Sequence, residues 1–170
     1  MNPNCTNCPL YKYRRKIVHG RGFLPADVVI IGEAPGQTED MMGMAFIGDA
    51  GQLLDRMIAD ADPGGIRIYF TNTVLCRPTD KIGGPNREPT NEEIFSCSMN
   101  VREILDRTQA KRFILAGDIA EKYMKNVVVH YTKITHPSAI LRLGGVNSAY
   151  YQQTVQILKQ VFREVHNEIS

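Results

Sequence analysis

Four cysteines are the residues of this 170-residue chain whose types and spacing point most directly to chemistry. Cys5 and Cys8 are two residues apart, and Cys76 and Cys97 follow much later. A two-residue gap lets one turn point both thiolates at one metal, and four thiolates suit tetrahedral zinc or an iron–sulfur cluster. The spacing predicts a metal site without choosing between the two. The alternative for Cys76 or Cys97 alone is a buried, inert cysteine.

A second candidate is the stretch GEAPGQTED (32–40), which directly follows the apolar run DVVII (27–31). Two glycines and a proline suit a turn whose backbone approaches a ligand closely. The stretch matches neither GxxxxGK[ST] nor GxGxxG, and its three acidic side chains would repel a phosphate. The loop is therefore better suited to a neutral, flat group with donors and acceptors on its edges than to a nucleotide phosphate.

Alternating strands and helices must position these residues. The apolar and β-branched runs predict strands at 27–31, 66–75, 112–116 and 127–135. Helical spacing and caps predict helices at 51–60, 90–107, 118–125 and 149–166. This alternation indicates an α/β fold whose mainly parallel sheet is covered on both faces. Ligands collect at the carboxyl ends of such strands, so GEAPG, residues 71–73 and residues 136–138 should converge on one cleft.

Length and composition set the outer limits. With 170 residues, 43% of them hydrophobic, residues 1–170 are expected to form a single domain. No apolar stretch is long enough to span a membrane, and the N-terminus lacks a signal-peptide pattern, so a cytoplasmic protein with reduced thiols is expected. A net charge of +2 neither requires nor excludes nucleic acid.

Five motifs together identify a family resemblance. The stretch GEAPGQTEDMMGMAFIGDAGQLLDRMI (32–58) resembles the first motif of the family 4 uracil-DNA glycosylases. The likeness continues, in order along nearly the whole chain, with CTNCPL (5–10), TNTVLCRP (71–78), NREPTNEEIFSC (86–97) and HPSAILR (136–142).

The resemblance implies a fold, a reaction and a cofactor. The implied fold is a three-layer α/β/α sandwich with a central, mainly parallel four-stranded sheet. The implied activity is removal of uracil from DNA by hydrolysis of the N-glycosidic bond, as in base excision repair. A [4Fe–4S] cluster is implied on the matching cysteines, tying residues 5–8 to the 76–97 region. These are Cys5, Cys8, Cys76 and Cys97.

The resemblance also implies roles for three central residues. Phe46 would stack on the extruded base, and Asn72 would hydrogen-bond its edge. His136 would donate to O2 of uracil as negative charge develops on the leaving base. Without the resemblance, a phenylalanine in AFI would more often be core, Asn72 a turn residue, and a histidine a surface or structural group.

The GEAPG loop has its own implied roles. The backbone of Gly32 and Ala34 would pack against the base, and Ala34 stands where the best-known uracil glycosylases carry a water-activating aspartate. Glu33 could position water or orient a neighbour, and Glu39 is a candidate wall against the 5-methyl group of thymine. The alternative for both acids is a solvated loop face.

DNA contacts are expected around the cleft. Residues 138–142 resemble a loop that wedges into duplex DNA, with Ser138 and Leu141 at its tip and Arg142 beside it. Arg77 and Arg87 are further candidates for phosphate contacts. Each arginine could equally be an ordinary surface residue. The expected partner is uracil-containing DNA, single- or double-stranded, with no membrane partner and a monomeric protein.

Two departures from the family pattern and two rival functions remain open. Ala45 replaces the usual proline before the stacking phenylalanine, and Asp49 stands where a basic or small residue is common. One rival is a catalytically weak iron–sulfur module that binds DNA or assists replication. The other is a zinc-bound interaction domain.

Overall fold

A five-stranded sheet forms the centre of the protein in a computed structural model that describes residues 2–62 and 64–170. The strands are β1 (Arg21–Gly22), β2 (Val28–Gly32), β3 (Ile68–Asn72), β4 (Arg112–Ala116) and β5 (Tyr131–Ile134). Their spatial order is β1-β3-β2-β4-β5. Strands β2 to β5 are parallel, and β1 pairs antiparallel with β3 at one edge.

Helices cover both faces of this sheet, which confirms the α/β/α class. One apolar core joins the sheet to α2, α5 and α6, and the other joins it to α3 and α4. The helices are α1 (Gln37–Met42), α2 (Asp49–Ala61), α3 (Asn91–Thr108), α4 (Asp118–Met124), α5 (Pro137–Arg142) and α6 (Ala149–Ile169), with short 3-10 turns at Pro9–Lys12 and Gly145–Asn147.

The alternation of side chains along β2 shows why its sequence is apolar throughout. Val28 and Ile30 belong to one core, whereas Val29 and Ile31 belong to the other. All five residues of this strand are buried. A parallel strand covered on both faces needs such a continuous apolar run, because neither side reaches water.

Several boundaries differ from those predicted. The second and fourth predicted strands are shorter, and the edge strand β1 and the six-residue helices α1 and α5 were not predicted. The capping box at the start of α3 is confirmed: the Glu93 N–H donates to Thr90 Oγ1 at 3.1 Å, and the Thr90 N–H donates to Glu93 Oε1 at 2.8 Å.

The strand order places a switch point beside β2. The chain moves from β2 to β3 on one side, and β4 and β5 lie on the other. Loops leaving the carboxyl ends diverge there, which opens a crevice suited to a ligand. Among the residues described, no helix combines the length and apolar character needed to cross a bilayer.

Candidate active site

The carboxyl ends of three strands meet around one open cavity of about 620 Å³. Gly32 ends β2 and Asn72 ends β3, and the two residues are paired across the parallel strands. Asn72 and His136, which follows β5, both line the cavity. Phe46 reaches it from the turn between α1 and α2. The convergence expected from the sequence is therefore present.

Phe46 presents its ring from a strained turn. Its φ is 54°, a conformation that costs a non-glycine residue about 1–3 kcal/mol unless its surroundings hold it. The ring lies 6.2 Å from the His136 imidazole, centroid to centroid, with 26° between the planes. Beneath the turn, a Cβ on Gly51 would come within 1.9 Å of the Phe46 carbonyl oxygen. Glycine at 51 is thus required for this turn to pack against α2.

Gly32 lies between Phe46 and Asn72, behind the residues that line the cavity. A Cβ at this position would lie 2.4 Å from Phe46 Cζ and 2.7 Å from Asn72 Oδ1. Both distances are far inside van der Waals contact. The missing side chain therefore allows the ring and the carboxamide to approach each other at the end of β2.

Asn72 directs an unpaired carboxamide into the cavity. The residue is only 3% exposed, yet its side chain has no hydrogen-bond partner within the described chain. Every fully enclosed side-chain nitrogen or oxygen in the described chain has a hydrogen-bond partner. Because the Asn72 carboxamide has none, its nitrogen and oxygen are not fully enclosed and must reach the cavity surface. Such a group can accept one hydrogen bond and donate another to the edge of a flat ligand.

His136 is held in one tautomer by Ser138. The Ser138 backbone N–H donates to His136 Nδ1 at 3.1 Å, and Ser138 Oγ lies 2.7 Å from the same atom. A backbone N–H can only donate, so Nδ1 is the acceptor and the neutral ring carries its proton on Nε2. Burial, assisted by the charge of Arg142, lowers the pKa of His136 from 6.5 to about 4. The imidazole is therefore a neutral donor at physiological pH.

This lowered pKa predicts a pH-dependent stability. Between about pH 6.5 and pH 4 the unfolded state binds a proton on His136 that the folded state does not, so stability falls as the pH falls through this window. We expect a loss of about 1–2 kcal/mol between pH 7.5 and pH 5 from this residue. Urea unfolding of wild type and His136→Gln at both pH values measures this loss. The free energy of unfolding should fall more in wild type than in His136→Gln, by the contribution of the histidine. Equal losses in the two proteins would contradict the assignment.

Glu39 joins the GEAPG loop to the Phe46 turn. Its Oε1 accepts from the Gly36 N–H at 3.0 Å, and its Oε2 accepts from the N–H groups of Ile47 at 3.0 Å and Gly48 at 2.6 Å. Glu39 lines the cavity as expected, but both oxygens are engaged by backbone. The geometry therefore favours a positioning role over the wall against a methyl group that the sequence suggested.

Glu33 and Ala34 both line the cavity, and Glu33 is its half-buried acid. Burial raises the pKa of Glu33, and the nearby Glu88 raises it further. No residue of the described chain hydrogen-bonds its carboxyl group, in contrast to Glu39. A carboxyl group of this kind is available to water in the cavity.

Two of the arginines proposed to contact DNA are engaged within the protein. The guanidinium of Arg77, which is 6% exposed, donates to Asn86 Oδ1 and to the Gly84 carbonyl, both at 2.5 Å. It has no exposed face for a phosphate, so the sequence-based interpretation of Arg77 needs correction. Arg87 lines the cavity but pairs with both oxygens of Glu93, at 2.8 and 2.9 Å. A phosphate contact of Arg87 would therefore be made in addition to its ion pair with Glu93.

The segment at 138–142 forms helix α5 rather than a loop. Ser138 and Arg142 line the cavity, and the Leu141 side chain is exposed beyond it. This arrangement places an apolar side chain and a cation beside the entrance, next to the histidine that caps the helix.

The four cysteines surround one small cavity between the N-terminal segment, the segment that follows β3, and α3. Arg14 Nη1 donates to the Cys5 carbonyl at 2.7 Å and lies 3.8 Å from Cys76 Sγ, and Asn100 Nδ2 lies 3.6 Å from Cys5 Sγ. No group of three or more His, Cys, Asp or Glu side chains among the described residues is arranged to hold a single metal ion. The cysteines lining the cavity are Cys5, Cys8, Cys76 and Cys97.

Sequence reasoning missed two residues at the site. Asn86 lines the cavity and accepts a hydrogen bond from Arg77. Arg21 lies outside the motifs but bonds to the backbone of the Phe46 turn. Its signal was the tripeptide Gly-Arg-Gly at 20–22, because paired glycines indicate close backbone approach.

Comparisons with known proteins agree with this geometry. The family model of the uracil DNA glycosylase superfamily matches residues 19–159. The type-4 uracil-DNA glycosylase of Pyrobaculum aerophilum is 34% identical over 149 residues, covering 88% of this chain and 69% of that protein. The type-4 enzyme of Archaeoglobus fulgidus is 34% identical over 124 residues, covering 73% and 60%. That of Thermotoga maritima is 42% identical over 96 residues, covering 55% and 46%.

The match spans the sheet, the cavity and most of the helices. The chain covers about half to two thirds of the length of these relatives. By this similarity, the chain belongs to the type-4 uracil-DNA glycosylases within the uracil DNA glycosylase superfamily.

Proposed function

We propose that this protein is a uracil-DNA glycosylase that hydrolyses the N-glycosidic bond of uracil in DNA. The observation that supports it most is the single cavity shared by Phe46, Asn72 and His136, in a chain of the type-4 family. Its substrate is uracil-containing DNA, single- or double-stranded, on which it acts as a monomer.

Binding requires the uracil nucleotide to leave the base stack. The atom to be attacked is inaccessible inside DNA, so the base turns out of the strand into the cavity. The Phe46 ring offers a flat apolar surface to one face of the base. The Asn72 carboxamide accepts from uracil N3–H and donates to O4, so that no buried polar group is left unpaired.

Bond cleavage relies on stabilising the leaving base. As the C1′–N1 bond breaks, its electron pair moves to the uracil ring and charge accumulates on O2. His136 Nε2–H donates to that oxygen, in a position set by Ser138. A neutral donor held in place stabilises this charge without reorganisation.

Water then completes the reaction at C1′ of the sugar cation. Water oxygen bonds to C1′ and loses a proton, which neutralises the uracil anion, so the products are an abasic site and free uracil. Ala34 cannot activate this water, because it carries no acid. Glu33 can orient the water, because it is a half-buried carboxyl group of the cavity whose oxygens no residue of the described chain hydrogen-bonds.

The activity is tested with end-labelled oligonucleotides that contain one uracil, one thymine or one cytosine. Free base and alkali-labile abasic sites are measured for single strands and for duplexes. We expect release from the uracil oligonucleotide only. Binding of the uracil oligonucleotide without release would instead support a catalytically weak DNA-binding module.

We propose that the DNA strand passes the entrance beside α5. Arg142 is exposed at the cavity edge and can meet a phosphate, and Leu141 can fill the space that the extruded base vacates. Ser138 acts chiefly through His136, because both of its polar groups lie against Nδ1. Arg87, which also lines the cavity, would add a second cation for the DNA backbone.

We propose that the four cysteines hold a [4Fe–4S] cluster. All four cysteines line one cavity, and four thiolates around one site suit a cluster of the kind that the family resemblance implies. Polar hydrogens of Arg14 and Asn100 near sulfur also suit a cluster, which would tie the N-terminal segment to α3.

Removing one ligand should remove the cluster. Burial raises the pKa of Cys97 to about 12, so this thiol needs a bound cation to be a thiolate at neutral pH. We expect Cys97→Ser to lose the brown colour, the absorbance near 400 nm and most iron, with a lower melting temperature. Ser98→Ala, one residue away on α3, should keep all of them. Colourless wild-type protein that contains zinc instead of iron would contradict the cluster.

Adding one methyl group at Gly32 should damage the site more than the fold. Gly32→Ala would push Phe46 or Asn72 out of place, so we expect the single-turnover rate of uracil release to fall by about 10–100-fold. Gly64→Ala is the control, because a Cβ there meets nothing within 4 Å. Rates and melting temperatures of both variants check this. Unchanged release by Gly32→Ala would show that a side chain is tolerated at the end of β2, between Phe46 and Asn72.

A further inference from the structure

We propose that Arg21, on the edge strand β1, is a positioning residue that holds the Phe46 turn in its base-stacking conformation. This inference rests on the proposed function, because it assigns Phe46 to the base. Arg21 would not touch the base itself. It would act through the backbone that carries Phe46.

The guanidinium of Arg21 spans two consecutive carbonyls of the turn. Nε donates to the Ala45 carbonyl at 2.7 Å, and Nη2 donates to the Phe46 carbonyl at 3.1 Å. Nη2 also pairs with Asp55 Oδ1 at 2.7 Å, which anchors the group to α2. The Arg21 side chain is 19% exposed, so these charge-assisted bonds are largely shielded from water.

The same guanidinium also contacts an aromatic ring that packs against Phe46. Its Cζ lies 4.0 Å from the centroid of the Phe70 ring, a cation–π contact. The Phe70 ring is in turn 5.9 Å from the Phe46 ring. Arg21 thus contacts both the backbone of the turn and the aromatic side chain on which Phe46 rests.

The sequence around Arg21 is built for this placement. β1 pairs Arg21 with Phe70, so the two side chains are cross-strand neighbours on the same face of the sheet. A Cβ on Gly20 would lie 2.4 Å from the Phe70 carbonyl oxygen, and one on Gly22 would lie 2.1 Å from that of Ile68. Both glycines also have positive φ, at 153° and 117°. This segment can therefore approach β3 closely only with glycine on both sides of Arg21.

The turn needs such restraint from both sides. Glu39 accepts the N–H groups of Ile47 and Gly48, and Arg21 occupies the carbonyls just before them. An anion on the donors and a cation on the acceptors together hold the positive φ of Phe46. Ala45 leaves its own φ free, whereas a proline at that position would fix it. Arg21 supplies the restraint that this alanine lacks.

The test compares Arg21→Ala and Arg21→Lys with Arg163→Ala. Arg163→Ala removes an exposed arginine of α6 and leaves the Phe46 turn unchanged, so it is the matched control. Three quantities are measured on folded protein: the single-turnover rate of uracil release, inhibition by free uracil, and binding to uracil-free DNA. Melting temperatures report stability separately.

We expect Arg21→Ala to lower the release rate by about 10-fold or more and to weaken inhibition by free uracil, with unchanged binding to uracil-free DNA. The release rate of Arg21→Lys should fall in between, because one ammonium group cannot reproduce the geometry with which the guanidinium bonds to two carbonyls. Arg163→Ala should stay within about twofold of wild type in rate.

Two results would overturn the inference. One is a combined result for the two Arg21 variants. Arg21→Lys would show the wild-type release rate and wild-type inhibition by uracil, and Arg21→Ala would lose no more activity than its loss of folded protein explains. The other is an equal defect in Arg163→Ala. If wild-type protein released no uracil while binding it normally, the proposed function would fail instead, and the dissociation constants of free uracil, measured directly as binding to each variant, would still test Arg21.

Discussion

Replacing His136 with alanine is expected to lower the single-turnover rate of uracil release by about 10²–10³-fold, the usual effect of removing one preorganised donor to a developing anion. The Nδ1 side of the ring is occupied by Ser138, so Nε2 is the donor that faces the cavity. The loss should appear in the chemical step, because ground-state contacts of the base with Phe46 and Asn72 remain. Rapid-quench measurements with enzyme in excess over DNA would isolate that step.

The variant has a matched control in His166→Ala. His166 lies on α6, about half exposed, and its Nε2 is 3.4 Å from Asp62 Oδ2, away from the cavity. Release by this variant should match wild type. The iron content and the absorbance near 400 nm of both variants should be unchanged, because neither residue lines the cysteine cavity. A His136→Ala protein that releases uracil at the wild-type rate would refute the role of the imidazole.

Replacing Asn72 with alanine should have the second-largest effect, a loss of about 10²-fold or more in kcat/KM. Its carboxamide is the group at the cavity that matches the N3–H donor and O4 acceptor of uracil, and sites built on such pairing discriminate strongly. Cytosine presents the opposite pattern, so binding it would leave buried polar groups unpaired. Activity and binding of an uncleavable uracil nucleotide in DNA would both be measured.

Asn167→Ala is the control for this experiment, because it removes an exposed carboxamide from α6. It should leave both activity and binding unchanged. Asn72→Ala should keep its fold, since the side chain makes no hydrogen bond within the described chain. Full activity in Asn72→Ala would mean that the base edge is read by another group, such as Asn86.

The main elements of the fold were predictable because their sequence patterns are local. DVVII and RFILA are continuous apolar runs, as doubly covered parallel strands require, and Thr90 with Glu93 marks the start of α3. β1 was not predictable, because two residues between glycines carry no periodicity. Its pairing depends on contacts with β3, more than forty residues away.

The site was predictable in its members but not in their contacts. Strand ends and motifs pointed to Phe46, Asn72 and His136, and they share a cavity. The sequence did not reveal that Arg77 is buried against Asn86 and Gly84, because a motif cannot show where a flexible side chain finds its partners. The tautomer of His136 likewise depends on the bend that brings the Ser138 N–H back to its ring.

A crystal structure with free uracil would test the central claim most directly. We expect the base to lie against the Phe46 ring, with its N3–H and O4 within hydrogen-bond distance of the Asn72 carboxamide and its O2 within reach of His136 Nε2. Uracil bound elsewhere, or turned so that O2 faces away from His136, would contradict the account.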